Sequence, residues 1–169
     1  MKKMLLLTLF FSGFLFQKSY TQEQKFKAIF VYNFTKYLNW PESSIGDEFI
    51  IAVLGNNPII DELRIIANAK TVLNKKIVVN RISQDELNQK FQILFIPKEN
   101  YSLIKSSCES LAGKPVLIIS EKVNGCNDGA GINFIQKNNN LSFELNKLNI
   151  TKRGISINSQ LLSLATQVE

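Results

Sequence analysis

The side chains that could do chemistry in this sequence are few, because the chain contains no histidine. Histidine is the usual general base and a common zinc ligand, so its absence excludes serine–histidine catalysis, cysteine–histidine catalysis and histidine-ligated metals. The 14 acidic residues could act in pairs, as in glycosidases, but their adjacent pairs fall where loops or first helical turns are expected. We therefore predict no catalytic residue, no metal site, no cofactor and no enzymatic activity.

Two cysteines, Cys108 and Cys126, are the remaining nucleophiles. Cys108 falls late in a predicted helix, close to where the next strand should begin, whereas Cys126 follows the far end of that strand. Six strand residues span roughly 20 Å, and bridged Cα atoms lie within about 7 Å. This geometry argues against a Cys108–Cys126 disulfide, and without a histidine base neither thiol is expected to be catalytic.

A candidate ligand site lies at Gly55, Asn56 and Asn57, between a predicted strand and a predicted helix. Free N–H groups at a helix N-terminus can bind an anion, and ligands of open α/β sheets bind near the carboxyl ends of strands. Helix initiation explains the same residues, with Asn57 as N-cap and Pro58 in the first turn. Neither G-x-G-x-x-G nor a P-loop motif occurs, so helix initiation is favoured and a ligand site is the alternative.

The first 21 residues have the pattern of a secretory signal. Lys2 and Lys3 precede an uncharged apolar run over residues 4–16, and small residues follow at Ser19 and Thr21. The run is shorter than the roughly 18 apolar residues that span a bilayer. We expect cleavage before Gln22, which leaves an exported domain of residues 22–169 that does not span the membrane.

Charge and composition indicate one globular domain without a nucleic-acid surface. The sequence is 45% hydrophobic and 20% charged, which is ordinary for a folded domain. Three of the 20 basic residues and none of the acidic ones lie in residues 1–21, so cleavage lowers the formal net charge from +6 to +3. The remaining basic residues are scattered, whereas nucleic-acid binding requires a clustered stripe.

Residues 23–39 carry apolar side chains at three- and four-residue spacing, which predicts an amphipathic helix ending before Trp40-Pro41. Its stripe comprises Phe26, Ile29, Phe30, Phe34 and Tyr37. Val31, Tyr32 and Leu38 widen the stripe, which predicts that both sides of the helix are covered. Tyr32, Tyr37 and Trp40 are candidates for binding a protein partner, because aromatic side chains are favoured at interface hot spots. Core packing is the alternative and the more common fate.

Beyond this helix, apolar strands alternate with helices, which predicts a single α/β domain with a mainly parallel sheet flanked by helices. The predicted strands are residues 48–54, 76–80, 91–96 and 115–119. Residues 130–136 and 141–145 flank the turn-rich segment Lys137-Asn138-Asn139-Asn140. They predict a C-terminal antiparallel hairpin, which is followed by a closing helix over residues 156–168.

Seven segments match, in order, a pattern known from one protein family. They are KAIFVYNFTKYLNWP (27–41), VLGNNP (53–58), ILFI (93–96), PVLIIS (115–120), GAGINF (129–134), FELN (143–146) and ISINSQLLSLA (155–165). The sequence resembles the YfiR family of periplasmic proteins, whose first segment reads KAAFLYNFAKFVEWP.

The resemblance implies a periplasmic regulator. The best-known relatives look like repressors of a membrane-bound diguanylate cyclase that bind its periplasmic sensor domain, often as dimers, and are relieved by an outer-membrane lipoprotein. Many other relatives sit beside other sensors. The family often has cysteine and histidine where this chain has Phe91 and Gln92, and glycine where it has Ala130. Redox control through that cysteine is therefore not expected here.

Two functions remain in competition at this point. The first is an exported periplasmic binding protein that inhibits a membrane signalling protein such as a diguanylate cyclase, as a monomer or a homodimer. The alternative is a periplasmic sensor of a small ligand, which would bind where Gly55 and Asn57 meet the following helix. A histidine-free carboxylate hydrolase ranks behind both.

Overall fold

The computed structural model describes residues 22–168, so the predicted signal segment lies outside the described residues. Its helices are α1 (22–34), α2 (Ile59–Ala69), α3 (Ile104–Ser110), α4 (Lys147–Thr151) and α5 (Ser159–Leu164). Its strands are β1 (Leu38–Asn39), β2 (Glu48–Leu54), β3 (Thr71–Val72), β4 (Lys75–Ile82), β5 (Ile93–Ile96), β6 (Leu117–Ser120), β7 (Ile132–Lys137), β8 (Asn140–Leu145), β9 (Ser156–Ile157) and β10 (Thr166–Gln167). Short 3-10 turns lie at Glu42–Ser44, Gln84–Glu86 and Lys98–Leu103.

The main sheet has eight strands in the order β10-β8-β7-β6-β5-β2-β4-β3. Strands β4, β2, β5, β6 and β7 run parallel, with β2 between β4 and β5. This is a doubly wound arrangement whose strand order reverses between β2 and β5, the position at which such folds usually bind ligands. The prediction of a mainly parallel α/β sheet is confirmed.

The C-terminal hairpin is confirmed as β7 and β8, which pair antiparallel around Asn138 and Asn139. Both turn residues have positive φ, as the two-residue hairpin turn requires. The predicted closing helix over 156–168 is longer than the helix observed. Residues 156–157 form β9 against β1, and β10 pairs parallel with β8, because each offers backbone hydrogen bonds to an open strand edge.

Two apolar clusters fill the two faces of the sheet. One contains α1 and α2 side chains packed on alternate residues of the strands, such as Phe49 and Ile51. The other packs α3 and the segment before β5 on the opposite residues, such as Ala52 and Leu94. Because the central strands are buried on both faces, they form near-continuous apolar runs in the sequence.

The predicted covering of α1 on both sides is wrong. Its buried arc is centred on Ala28, Val31 and Phe34, whereas Phe26 is 47% exposed and Ile29 is 38% exposed. A polar residue, Lys27, is buried in their place. Apolar spacing alone assigned Phe26 and Ile29 to the inner face, because no periodicity rule expects a lysine there.

The turn between β3 and β4 contains a strained residue. Leu73 and Asn74 both have positive φ (52° and 59°), and Leu73 is 51% exposed. The left-handed region suits glycine and asparagine but disfavours leucine. Leu73→Asn should therefore raise the free energy of unfolding by about 1 kcal/mol, measured by urea denaturation.

Val123→Asn is the matched control, because Val123 is also an exposed apolar loop residue but lacks a positive φ. We expect little change from it. Equal effects of the two substitutions would show that loss of exposed apolar surface, and not the turn conformation, is responsible.

Candidate functional site

The carboxyl edge of the parallel strands is where a ligand site is expected, and the three predicted ligand residues lie there. Asn57 is buried, and its Oδ1 accepts a hydrogen bond from the N–H of Ile59, the first residue of α2 (3.0 Å). Its Nδ2 donates to Glu99 Oε2 after β5 (3.2 Å). Both ends of the Asn57 amide are therefore bound within the protein, which favours the helix-initiation interpretation.

Position 55 at the same edge requires glycine, because the Asn100 side chain lies too close for a Cβ atom. Gly55 has φ +80°, and a Cβ at this position would lie 2.4 Å from Asn100 Nδ2. That amide donates to the carbonyl of Leu54, the last residue of β2 (2.6 Å). Asn100 thus fills the gap between the ends of β2 and β5, which other doubly wound proteins leave open for ligands.

A shallow cavity of about 510 Å³ remains outside this closed gap. It is lined by Asn56, Asn57, Asp61, Arg64 and Arg81, among others. Asn56, Arg64 and Arg81 are exposed, and Arg64 lies 3.7 Å from Asp61 in a surface ion pair. A ligand role for Gly55, Asn56 and Asn57 stays a prediction.

A buried ion pair lies at the same carboxyl edge of the sheet, next to the end of β6. Lys27 Nζ lies 2.5 Å from Glu121 Oε1, and both side chains are only 6% exposed. Lys27 Nζ also lies 2.5 Å from Glu23 Oε1, and Glu121 Oε2 accepts from the N–H of Lys98 (3.0 Å). The pair therefore joins α1 to the loops that follow β5 and β6.

The charge of Lys27 is maintained by its partners. Burial alone would lower the pKa of this ammonium group, but attraction and hydrogen bonding to Glu121, and then to Glu23, outweigh burial and raise its pKa. The group is thus a charged structural contact at neutral pH. It is not poised to take up or release a proton.

A third set of polar contacts lies at the ends of β6 and β7. Asn133 is fully buried, and its Oδ1 accepts from Ser120 Oγ (2.7 Å) and from the N–H of Lys122 (3.1 Å). Its Nδ2 donates to Glu144 Oε2 (3.0 Å). A Cβ at Gly125 would lie 2.2 Å from Ser120 Oγ, so the loop after β6 packs directly against this network.

Neither cysteine is suited to catalysis. Both are buried and unbridged, and burial raises the pKa of Cys108 to about 11 and that of Cys126 to about 12. Arg153 beside Cys108 lowers the pKa of that thiol only in part. Both groups are neutral thiols at pH 7 and therefore poor nucleophiles.

The expected separation of the cysteines by about 20 Å does not hold. A Cβ at Gly129 would lie 3.0 Å from Cys108 Cβ, and the N–H of Gly129 donates to the carbonyl of Cys126 in a turn (3.1 Å). The loop after β6 therefore folds back against α3 and brings Cys126 nearer to Cys108 than the strand length implies. No sequence pattern indicated the path of this loop.

The three aromatic partner candidates differ in their surroundings. Trp40 is buried, its ring packs edge-on against Phe49, and its Nε1 donates to the carbonyl of Gln92 (3.1 Å). Tyr32 and Tyr37 are partly exposed, and Lys36 Nζ lies 4.7 Å from the centre of the Tyr32 ring. Trp40 is thus a core residue in the described structure, whereas a partner role for Tyr32 and Tyr37 stays a prediction.

Within residues 22–168, no group of three or more metal-ligating side chains occurs. Over the same residues, no helix is long and apolar enough to cross a membrane. The polar side chains at the carboxyl edge bind the loops of the protein to one another. The contacts are those of Asn57, Lys27 and Asn133.

The profile of YfiR/HmsC-like proteins matches residues 24–166, from α1 to β10. The chain belongs to the YfiR/HmsC-like family. Membership of this family indicates a periplasmic regulator of cyclic-di-GMP signalling. A comparison with curated proteins gives no match. The matched residues of this YfiR/HmsC-like chain include both members of the Lys27–Glu121 pair.

The buried ion pair gives a stability prediction. Lys27→Met should lower the free energy of unfolding by about 3–5 kcal/mol, because it leaves the buried Glu121 carboxylate without its cation. Glu121→Gln should cost less, because Lys27 keeps Glu23 as a partner. Lys27→Met combined with Glu121→Gln should cost less than the sum of the two single changes, because no unpaired buried charge remains. Urea denaturation measures all three variants.

Arg64→Met is the control, since the Arg64–Asp61 pair is exposed and should contribute less than about 1 kcal/mol. Simple additivity of the Lys27 and Glu121 substitutions would contradict an energetic coupling between these residues.

The raised pKa of Lys27 gives a pH prediction. A folded-state pKa above the unfolded value of 10.5 means that the stabilisation is complete below pH 10.5 and is lost as pH rises through the folded-state value. The melting temperature of the wild type should therefore fall more steeply above about pH 10.5 than that of Lys27→Met. Parallel curves for the two proteins in thermal melts at alkaline pH would contradict this assignment.

Proposed function

We propose that the mature chain is a periplasmic binding protein that inhibits a membrane-anchored signalling protein, with a diguanylate cyclase as its target. The observation that carries the proposal is the YfiR/HmsC-like match over residues 24–166. The proposal takes the inhibitory role and the cyclase target from the resemblance of the motifs, including the KAIFVYNFTKYLNWP segment at residues 27–41.

The chemistry of the described residues supports a binding role over a catalytic one. The thiols are buried and neutral, and the chain has no histidine to activate a nucleophile. The carboxyl edge, where doubly wound enzymes assemble their sites, is filled by contacts of Asn57, Asn100 and Asn133.

Inhibition by binding requires a difference in affinity between two states of the target. An inhibitor that binds both states with equal affinity leaves the equilibrium between them unchanged. Moving that equilibrium from 1:99 to 99:1 requires a difference of about 5.5 kcal/mol between the two binding free energies. The proposed inhibitor must therefore contact a part of the sensor domain that differs between the active and inactive states. A rigid surface on the inhibitor favours such discrimination, because little binding free energy is spent on ordering it.

Sensing of a small ligand is the second candidate. The observation that favours it is the cavity beside Asn56, with the exposed side chains of Arg64 and Arg81 available to an anion. The engaged amide of Asn57 argues against it. A saturable rise in melting temperature with an anionic metabolite, abolished by Arg81→Gln, would support this candidate.

The test of the main proposal combines two measurements in the same cells. A tagged full chain is expressed with its own leader, the envelope is solubilised, and proteins recovered with the tag are identified, while cyclic-di-GMP is measured by mass spectrometry. We expect recovery of a membrane protein carrying a diguanylate cyclase domain, a fall in cyclic-di-GMP on overexpression and a rise on deletion.

An unchanged cyclic-di-GMP level together with no recovered signalling protein, from a bait shown to be exported and folded, would contradict the proposal. The mass of the recovered bait serves as an internal control. A protein that begins at Gln22 has been processed as the signal segment predicts.

A further inference from the structure

Helix α1 has a second face that is exposed in the described structure. This outer α1 face consists of Lys25, Phe26 and Ile29 on the helix and Lys36 in the turn that follows it, and all four residues are exposed. We propose that the outer α1 face is the surface that docks on the membrane signalling protein, against an acidic segment that carries apolar side chains. This inference rests on the proposed function and names the binding surface and the chemistry of the partner.

The apolar part of the face is a pair of neighbouring side chains. Phe26 and Ile29 lie three residues apart and are therefore adjacent on the helix surface. Among the described residues, the other exposed large apolar side chains each lie on a different element: Ile65, Leu73, Tyr101, Val123, Leu148 and Leu164. Scattered exposed apolar residues are normal on a protein surface, whereas contiguous apolar patches rimmed by polar residues mark interaction sites.

The pair continues into the packed interior of the protein. Phe30, one residue after Ile29, is partly exposed, and its ring packs edge-on against Phe134 and Phe143 of the sheet (6.0 and 5.9 Å between ring centres). A side chain bound on Phe26 and Ile29 would therefore rest on a supported aromatic cluster. Well-packed, aromatic-rich surroundings of this kind are typical of interface hot spots.

The charge of the face selects the partner. Lys25 and Lys36 lie at its two ends, and the only acidic residue between Gln22 and Pro41 is Glu23. Glu23 is already engaged by Lys27. The face is therefore positive with no acidic group of its own, and a partner with carboxylates around an apolar centre complements it.

Two other binding partners for this face are a second copy of the chain and a membrane surface, and both are disfavoured. In a symmetric dimer through this face, the same patch would meet itself, so that the lysines of two copies would crowd one interface. A membrane-surface helix buries its broad apolar face in the lipid, whereas the apolar face of α1, with Ala28, Val31 and Phe34, is packed on the sheet. An acidic protein surface is the occupant that remains.

The buried ion pair holds the face in place. Lys27 lies next to Phe26 in sequence and on the opposite side of α1, and its contact with Glu121 ties the helix to the end of β6. The outer α1 face is therefore rigid before binding, which lowers the entropic cost of docking.

The test is site-specific photo-crosslinking in living cells that export the full chain. A photo-reactive benzoylphenylalanine replaces Phe26 or Ile29, and the matched control carries it at Ile65, which is 63% exposed on α2. We expect the first two positions, but not the control, to crosslink to the membrane protein with the signalling domain. Peptide mapping should place the crosslink beside Asp and Glu residues of its periplasmic part.

Substitutions give an independent measure. Phe26→Glu with Ile29→Glu, and separately Lys25→Glu with Lys36→Glu, should lower recovery of the signalling protein at least tenfold, with unchanged melting temperatures. Ile65→Glu should leave recovery unchanged. Because all these positions are exposed, misfolding is not expected, and equal recovery for all variants would overturn the proposal.

The outcomes separate the docking surface from the function. A signalling protein crosslinked from Ile65, or recovered fully with the Phe26 and Ile29 variant, would overturn the outer α1 face and leave the proposed function standing. Crosslinks from positions 26 and 29 to a second copy of the chain, or to lipid, would overturn it in favour of a dimer or a membrane surface. Absence of any signalling protein from all positions would contradict the proposed function itself.

Discussion

The contact between Lys27 and Glu121 fixes the position of α1 on the sheet, and much of the structure depends on it. Two charged side chains are removed from water at the end of β6, and each is stable there only because the other is present. Lys27 and the apolar residues Ala28, Val31 and Phe34 together form the inner side of the helix. Phe26 and Ile29 lie on its other side and are exposed.

The carboxyl edge of the same sheet is closed by contacts between its own loops. In this fold the gap between β2 and β5 is where cofactors and substrates commonly bind. Here Asn100 bonds across it to Leu54, and Asn133 links the loops at the neighbouring strand ends. Asn57, Asn100 and Asn133 thus make hydrogen bonds within the protein, and the exposed side chains of Arg64 and Arg81 lie outside these contacts.

Local patterns of the sequence predicted most of the fold. Apolar runs such as residues 48–54 predicted buried strands, and the turn-rich segment at residues 137–140 predicted a hairpin, in which Asn138 and Asn139 adopt positive φ. The inward position of Lys27 could not be predicted this way, since its partner is a carboxylate at Glu121, far along the chain. The proximity of Cys108 to the loop containing Cys126 escaped prediction for the same reason, because loop paths depend on contacts between distant residues.

The candidate site was predicted only in part. Gly55 and Asn57 were correctly placed at a strand end, but the residues that close the gap, Glu99 and Asn100, carried no motif. The family was recognisable because seven short segments recur in order, although each segment alone is common.

The most direct test of the account is the affinity of the purified mature chain for the purified periplasmic domain of its signalling partner, measured by calorimetry. We expect the combined Phe26→Glu and Ile29→Glu substitutions to raise the dissociation constant at least tenfold, whereas Ile65→Glu should leave it unchanged. Equal affinity of the wild type and the α1 variant would contradict the claim that this protein acts through the outer α1 face.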